Sequence, residues 1–275
     1  MNEGNYILVN GSFVPMAEYR ISLKESDGFL FSERIRAVRS AFPFFRETLE
    51  MIKQKLMIFN QSFPELTEND GAELKRQMER TLTKNKHFLG AVLSLRFWIS
   101  DRKIQYSIQS AKHENVGYGL NDKGLYVAVS DTIRKSVSSL SNTSLGSEIN
   151  WRIAGNYPKD VASDEFLLLN TDGQIIEAVG SNVYLIKGST VKGASIYNGA
   201  YADISKPLII NLFNQLKLSY NETEGIAEED LKEADEIFLV NAIDGIRWVV
   251  GFEGKRYFNN TIRKINDLFV RNLVN

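Results

Sequence analysis

Residues Phe166 to Ile186, FLLLNTDGQIIEAVGSNVYLI, constrain this chain more than any other stretch. The apolar run Phe166–Leu169 breaks at Asn170-Thr-Asp-Gly173 and resumes at Ile175. Turn-forming residues between two apolar runs predict strand, tight turn, strand. Glu177 and the pair Ser181-Asn182 then fall at the ends of the second strand. Glu177 faces solvent there, pairs with a nearby base, or serves a site, whereas Ser181-Asn182 reads first as turn chemistry.

The first half of the chain has a comparable order of elements. Asn10-Gly11 between apolar runs predicts a hairpin over 6–14 with a type I′ turn. Leu49, Ile52 and Leu56 recur at helical spacing, so 43–59 is an amphipathic helix. Asn69 or Asp70 is the expected cap of a second helix that turns Leu74, Met78 and Leu82 inward. Ala91–Ser100 and Ile104–Ser110 form an antiparallel strand pair around Asp101-Arg-Lys103. Residues 112–124 are polar and glycine-punctuated, as an interdomain linker would be.

In the second half, strand Leu125–Ser130 precedes a Ser/Thr-rich loop at 136–147 and a helix near 148–162. Beyond the Phe166–Ile186 stretch comes a strand at Val191–Ala194. A helix capped by Asp203 or Ser205 follows, with Pro207 tolerated in its first turn. Glu228–Asp235 is a short acidic helix, Ile237–Asn241 and Ile246–Phe252 are strands, and Lys255–Phe258 returns after a turn. Asn260 caps a closing helix with Ile262, Ile265, Leu268 and Phe269 on one face. The expected class is α/β, in two domains of residues 1–118 and 119–275.

Composition narrows the function. A net charge of −1 over 275 residues gives no field to attract nucleic acid or an anionic membrane. With no cysteine, disulfides, thiolate metal sites and a cysteine nucleophile are excluded. Two histidines make a multi-histidine metal centre an improbable design, so no metal is expected. No apolar run reaches the ~18 residues of a membrane span, and Met1-Asn-Glu-Gly-Asn5 is not a secretory leader. The expectation is a soluble cytoplasmic protein.

Five fragments in order resemble the class IV aminotransferases, the fold type IV enzymes of pyridoxal phosphate (PLP) that include branched-chain and D-alanine aminotransferases and aminodeoxychorismate lyase. They are Leu8–Val14, Gly28–Phe31, Leu167–Ile186, Asp203-Ile-Ser-Lys206 and Ala234–Ile246. The resemblance implies the two-domain D-amino-acid-aminotransferase-like fold, a site in the cleft between domains, a homodimer, and PLP as cofactor. It implies that a lysine forms a Schiff base with PLP and moves the substrate proton. A glutamate pairs with the pyridine nitrogen, and Glu177 matches it. Ile204 and Ser205 match the phosphate cradle at a helix start, and Asn241 and Ala242 match a second phosphate loop.

The departures fall on the reacting groups. Counting back from the Leu167 strand, the lysine position carries Ser144, and a hydroxyl forms no imine. Lys135 and Lys159 lie nine and fifteen residues from it. Met51, in Thr48-Leu-Glu-Met51, stands at the position of the phosphate-binding arginine and carries no charge. Arg36 replaces an aromatic near the cofactor, Ala37 an acid, and Lys206 an arginine. Arg34, Arg36 and Arg39 read either as a solvated edge or as a new anion site. Arg96 lies on a strand that faces the substrate in the family, where it would hold a carboxylate. Two functions are therefore expected to compete. One is a pseudoenzyme, or a repurposed protein that binds a small anion or amino acid. The other is an active PLP-dependent aminotransferase or lyase with a lysine supplied from elsewhere.

Overall fold

A computed structural model describes residues 3–156 and 163–274. It divides into two compact units, Met1–Gly117 and Tyr118–Asn275.

In the first unit the strands are β1 Tyr6–Val9, β2 Ser12–Pro15, β3 Phe29–Val38, β4 Gly90–Ser100 and β5 Lys103–Lys112. They form one antiparallel sheet in the order β2-β1-β5-β4-β3. The β1–β2 hairpin turns through Asn10 and Gly11, at φ 49° and 82°. Both residues are left-handed, as a type I′ turn needs. The helices are α1 Leu23–Asp27, α2 Phe45–Ile58, α3 Pro64–Thr67 and α4 Ala72–Asn85. As their spacing predicts, α2 buries Leu49, Ile52 and Leu56, and α4 buries Leu74, Met78 and Leu82. The start of α4 differs from expectation. Asn69, Asp70 and Gly71 are all left-handed, at φ 51°, 54° and 69°. Such a run cannot belong to a right-handed helix, so Asn69 and Asp70 form a separate turn and the helix begins at Ala72. Gly71 is needed there, because a Cβ would lie 2.9 Å from Leu49 Cδ2.

In the second unit the strands are β6 Leu125–Lys135, β7 Glu165–Asn170, β8 Ile175–Ala178, β9 Asn182–Lys187, β10 Thr190–Ala194, β11 Ser219–Thr223, β12 Glu236–Asn241, β13 Gly245–Phe252 and β14 Lys255–Arg256. Their order is β11-β10-β9-β12-β13-β6-β7-β8, with β14 paired to β13. The sheet curls on itself. Edge strand β8 is bridged through Ile175 to Ile226, just past the opposite edge β11, by mutual backbone bonds of 2.8 and 2.9 Å. Leu167, Ile175, Val183, Leu185, Ile237, Leu239 and Val249 belong to one buried cluster. Helices α5 Ser144–Gly155, α6 Lys206–Gln215, α7 Glu228–Glu233 and α8 Asn260–Val274 complete the unit. The apolar stripe Ile262, Ile265 and Phe269 of α8 is buried.

Three local expectations are corrected. The stretch around Glu177 is three strands, because Gly180 turns left-handed at φ 61° and Ala178 and Ser181 bond each other's backbones across it. Glu177 is thus inside β8 rather than at a strand end. Helix α5 begins at Ser144, earlier than the loop reading of 136–147 allows. The first amides of α8, those of Thr261 and Ile262, donate to the Glu236 carboxylate at 2.8–3.0 Å, so the cap comes from β12 rather than from Asn260.

One buried base makes the first unit's stability pH-sensitive. His87 is 4% exposed with Nδ1 3.0 Å from Ser110 Oγ, and burial pushes its pKa down. Its contribution is therefore complete above the unfolded value of about 6.5. It fades as pH falls from there through the lower folded value, because the unfolded chain binds the proton more readily. Denaturant midpoints of wild type should drop between about pH 7.5 and 5.5, and His87→Gln should flatten that drop.

Candidate active site around Glu177

Strands β6, β7 and β8 lie side by side, and the register of β6 against β7 shifts between Ser130 and Arg134. Ser130 pairs with Leu168 and Arg134 with Leu169, so Asp131, Thr132 and Ile133 are bulged out. A bulge re-aims the side chains beyond it. Here it extends β6 past its expected end at Ser130 and delivers Lys135 into the interior.

Lys135 Nζ donates to Glu177 Oε2 at 2.7 Å, and both side chains are buried, at 2% and 0% exposure. The same oxygen accepts the Tyr201 backbone N–H at 2.6 Å, and Oε1 accepts Trp151 Nε1 at 2.8 Å. The Trp151 and Tyr201 rings meet edge to face, with centroids 4.8 Å apart. Burial pushes the Glu177 carboxyl up and the Lys135 amine down, and the attraction between them opposes both shifts. Three donors on one carboxylate favour its charged form.

The matched phosphate cradle lies at the start of α6. Asp203 Oδ1 accepts the Ser205 backbone N–H at 2.8 Å and also the Ser205 hydroxyl. Asp203 and Ser205 are both buried, while Ile204 is half-buried. Lys206 reaches Glu222 at 2.6 Å. At the second loop, Asn241 Oδ1 accepts the N–H groups of Ile243 and Asp244 at 2.9 and 2.7 Å. Asn241 Nδ2 donates to Ser181 Oγ at 2.8 Å, and the Ala242 carbonyl accepts the Tyr118 hydroxyl at 2.7 Å. Ser181 also accepts from Arg247, whose other branch pairs with Glu165 at 2.9 Å. Burial pushes Glu165 up, opposed by Arg247.

Ser144 opens α5, the helix that carries Trp151. Lys159 lies outside the described residues. The other named residues belong to the first unit. Met51 is on α2, and one turn along it Lys55 is buried against Glu33. Arg36 is 2% exposed and donates to the Asn115 carbonyl, whereas Arg34 and Arg39 are exposed. Arg96 lies over the Phe29 ring, 5.1 Å from its centroid. Beside it the Tyr19 hydroxyl donates to buried Glu25 at 2.6 Å. Burial and that carboxylate push the phenol up, partly offset by Arg96. Among the described residues no group of three His, Asp or Glu could hold a metal ion, and no helix is long and apolar enough to cross a membrane.

The family model for class IV amino-transferases matches residues 60–251. This chain belongs to that family. A curated relative, the probable branched-chain-amino-acid aminotransferase of Aquifex aeolicus, is 28% identical over 152 residues, 52% of this chain and 49% of the relative. The match thus spans about half the relative's length. Among solved structures, the branched-chain aminotransferase of Escherichia coli superposes with a TM-score of 0.82 at 18% identity, covering 97% of this chain and 93% of that one. The PLP-form of the Thermobaculum terrenum branched-chain aminotransferase gives 0.82 at 17% identity, covering 99% and 95%. At such identities the likeness shows the fold, a mixed α/β architecture with a curled sheet.

Sequence reasoning named Glu177 but missed its partners Lys135 and Trp151, and named Asp203 as a helix cap and in the Asp203–Lys206 fragment but not as the partner of Ser205. The signal for Asp203 was present, since an acid two residues before a helix-start serine can itself accept that serine's amide and hydroxyl. For Lys135 there was none, because the bulge decides where it points.

Trp151→Phe removes one hydrogen bond to a buried carboxylate. It should cost about 1.5–3 kcal/mol of unfolding free energy in urea melts, with little change in far-UV circular dichroism.

Proposed function

We propose that this chain keeps the class IV frame without its Schiff-base chemistry, as a non-catalytic member that binds a small anion or amino acid. One observation carries the reading. The carboxylate that the family resemblance assigns to the cofactor's ring nitrogen accepts instead from Lys135, Trp151 and the Tyr201 amide. Near the two matched phosphate loops, the Ser205 amide is bonded to Asp203, and the amides of Ile243 and Asp244 to Asn241. This set of bonds does not fit PLP, and Ser144 supplies no amine. For an anion or a substrate carboxylate, Arg96 is the residue of choice, with a buried Nε that has no hydrogen-bond partner among the described residues. A homodimer goes with the reading, and exposed Leu23 and Ile21, at 82% and 53%, offer apolar contact for a second copy.

A second reading has one observation in its favour. The Lys135 amine reaches the interior next to Glu177, and burial favours its neutral, nucleophilic form. In this reading Lys135 is the lysine of an active aminotransferase, and the relatives' names make branched-chain amino acids the substrates to assay. Against it stands the amine's position. A group bonded to the ring-nitrogen carboxylate lies at the end of the pyridine ring opposite the aldehyde.

Incubation with PLP, borohydride reduction and peptide mass mapping separates the two. The non-catalytic reading expects no visible absorbance band and no labelled lysine peptide. A specific label on the peptide containing Lys135, with amino transfer from branched-chain amino acids, would establish the enzyme.

A further inference from the structure

We infer that Lys135 and Asp203 supply, from within the chain, the two charges that a bound cofactor would bring to this frame, a cation on Glu177 and an anion on Ser205. The inference rests on the non-catalytic reading and extends it to what holds the interior together.

A buried carboxylate without a counter-charge is costly, so a frame that loses its cofactor but keeps Glu177 must find another cation. Lys135 is that cation. It is buried to 2% exposure, and its ammonium pairs with the carboxylate that the family resemblance assigns to the cofactor's ring nitrogen. The bulge at Asp131–Ile133 is the device that brings it there. At the other end, a helix start with a free amide and hydroxyl attracts an anion. Asp203 is 5% exposed, and a single oxygen takes both the Ser205 N–H and its hydroxyl. The two ends belong to one short run of chain, since the Tyr201 amide that completes the Glu177 shell lies two residues before Asp203.

Each charge therefore acts as a plug, and removing both should unmask a site for one class of molecule, a phosphate monoester carrying a basic aromatic nitrogen. Pyridoxamine 5′-phosphate is a suitable probe, because it has no aldehyde and labels no lysine. Calorimetric titration would compare wild type, Lys135→Ala, Asp203→Ala and the double variant, with circular dichroism on each. Asp203→Asn keeps the acceptor oxygen and the shape while removing the charge, and should fold like wild type. Wild type is expected to show no saturable binding of pyridoxamine 5′-phosphate. Asp203→Asn should gain affinity for the probe and for inorganic phosphate, and the double variant should exceed either single by at least about tenfold.

Saturable binding to wild type that Asp203→Asn leaves unchanged would overturn the inference, whether or not the alanine variants fold. So would a folded double variant that binds no better than wild type. Failure of the non-catalytic reading would look different, as a lysine labelled by PLP and borohydride.

Discussion

The second unit depends on one carboxylate in an apolar place. Glu177 sits within β8, fully buried, on a sheet that curls around Leu167, Val183, Ile237 and Leu239. Removing such a charge from water costs several kcal/mol unless it is paired and hydrogen-bonded. Its oxygens draw on three separate elements, Lys135 from the end of β6, Trp151 from α5 and the Tyr201 amide from the approach to α6. The carboxylate thereby ties the end of β6, α5 and the approach to α6 together.

The same economy recurs at the other matched positions. Asp203 closes Ser205, Asn241 closes the amides of its own loop, and Lys206 pairs with Glu222. In the first unit, Lys55 on α2 is neutralised by Glu33. The polar groups named at these positions are bonded to their neighbours, as most buried polar groups in native proteins are.

The legible part of the fold was the part set by local rules. The Asn10-Gly11 turn, the apolar faces of α2, α4 and α8 and the order of strands follow from turn chemistry and periodicity, and the family resemblance gave the architecture. Features set by tertiary geometry were hidden. No pattern in Asp131–Ile133 announces a bulge, so Lys135 read as a lysine too far along the chain. The α8 cap likewise comes from Glu236, far off in sequence and adjacent only because β12 lies beside the helix start. The resemblance placed Ser144 where the family has its lysine, but nothing in the sequence indicated that Lys135 lies on Glu177.

A double-mutant cycle on unfolding free energy tests the central claim most directly, with Lys135→Met, Glu177→Gln and both together. Each single change leaves one buried charge without its partner and should cost about 3–5 kcal/mol. The pair of changes should cost less than the sum by a coupling of about 2–3 kcal/mol. Costs that add to within about 0.5 kcal/mol would mean that the two groups do not hold each other, and that the interior of this frame is organised by something else.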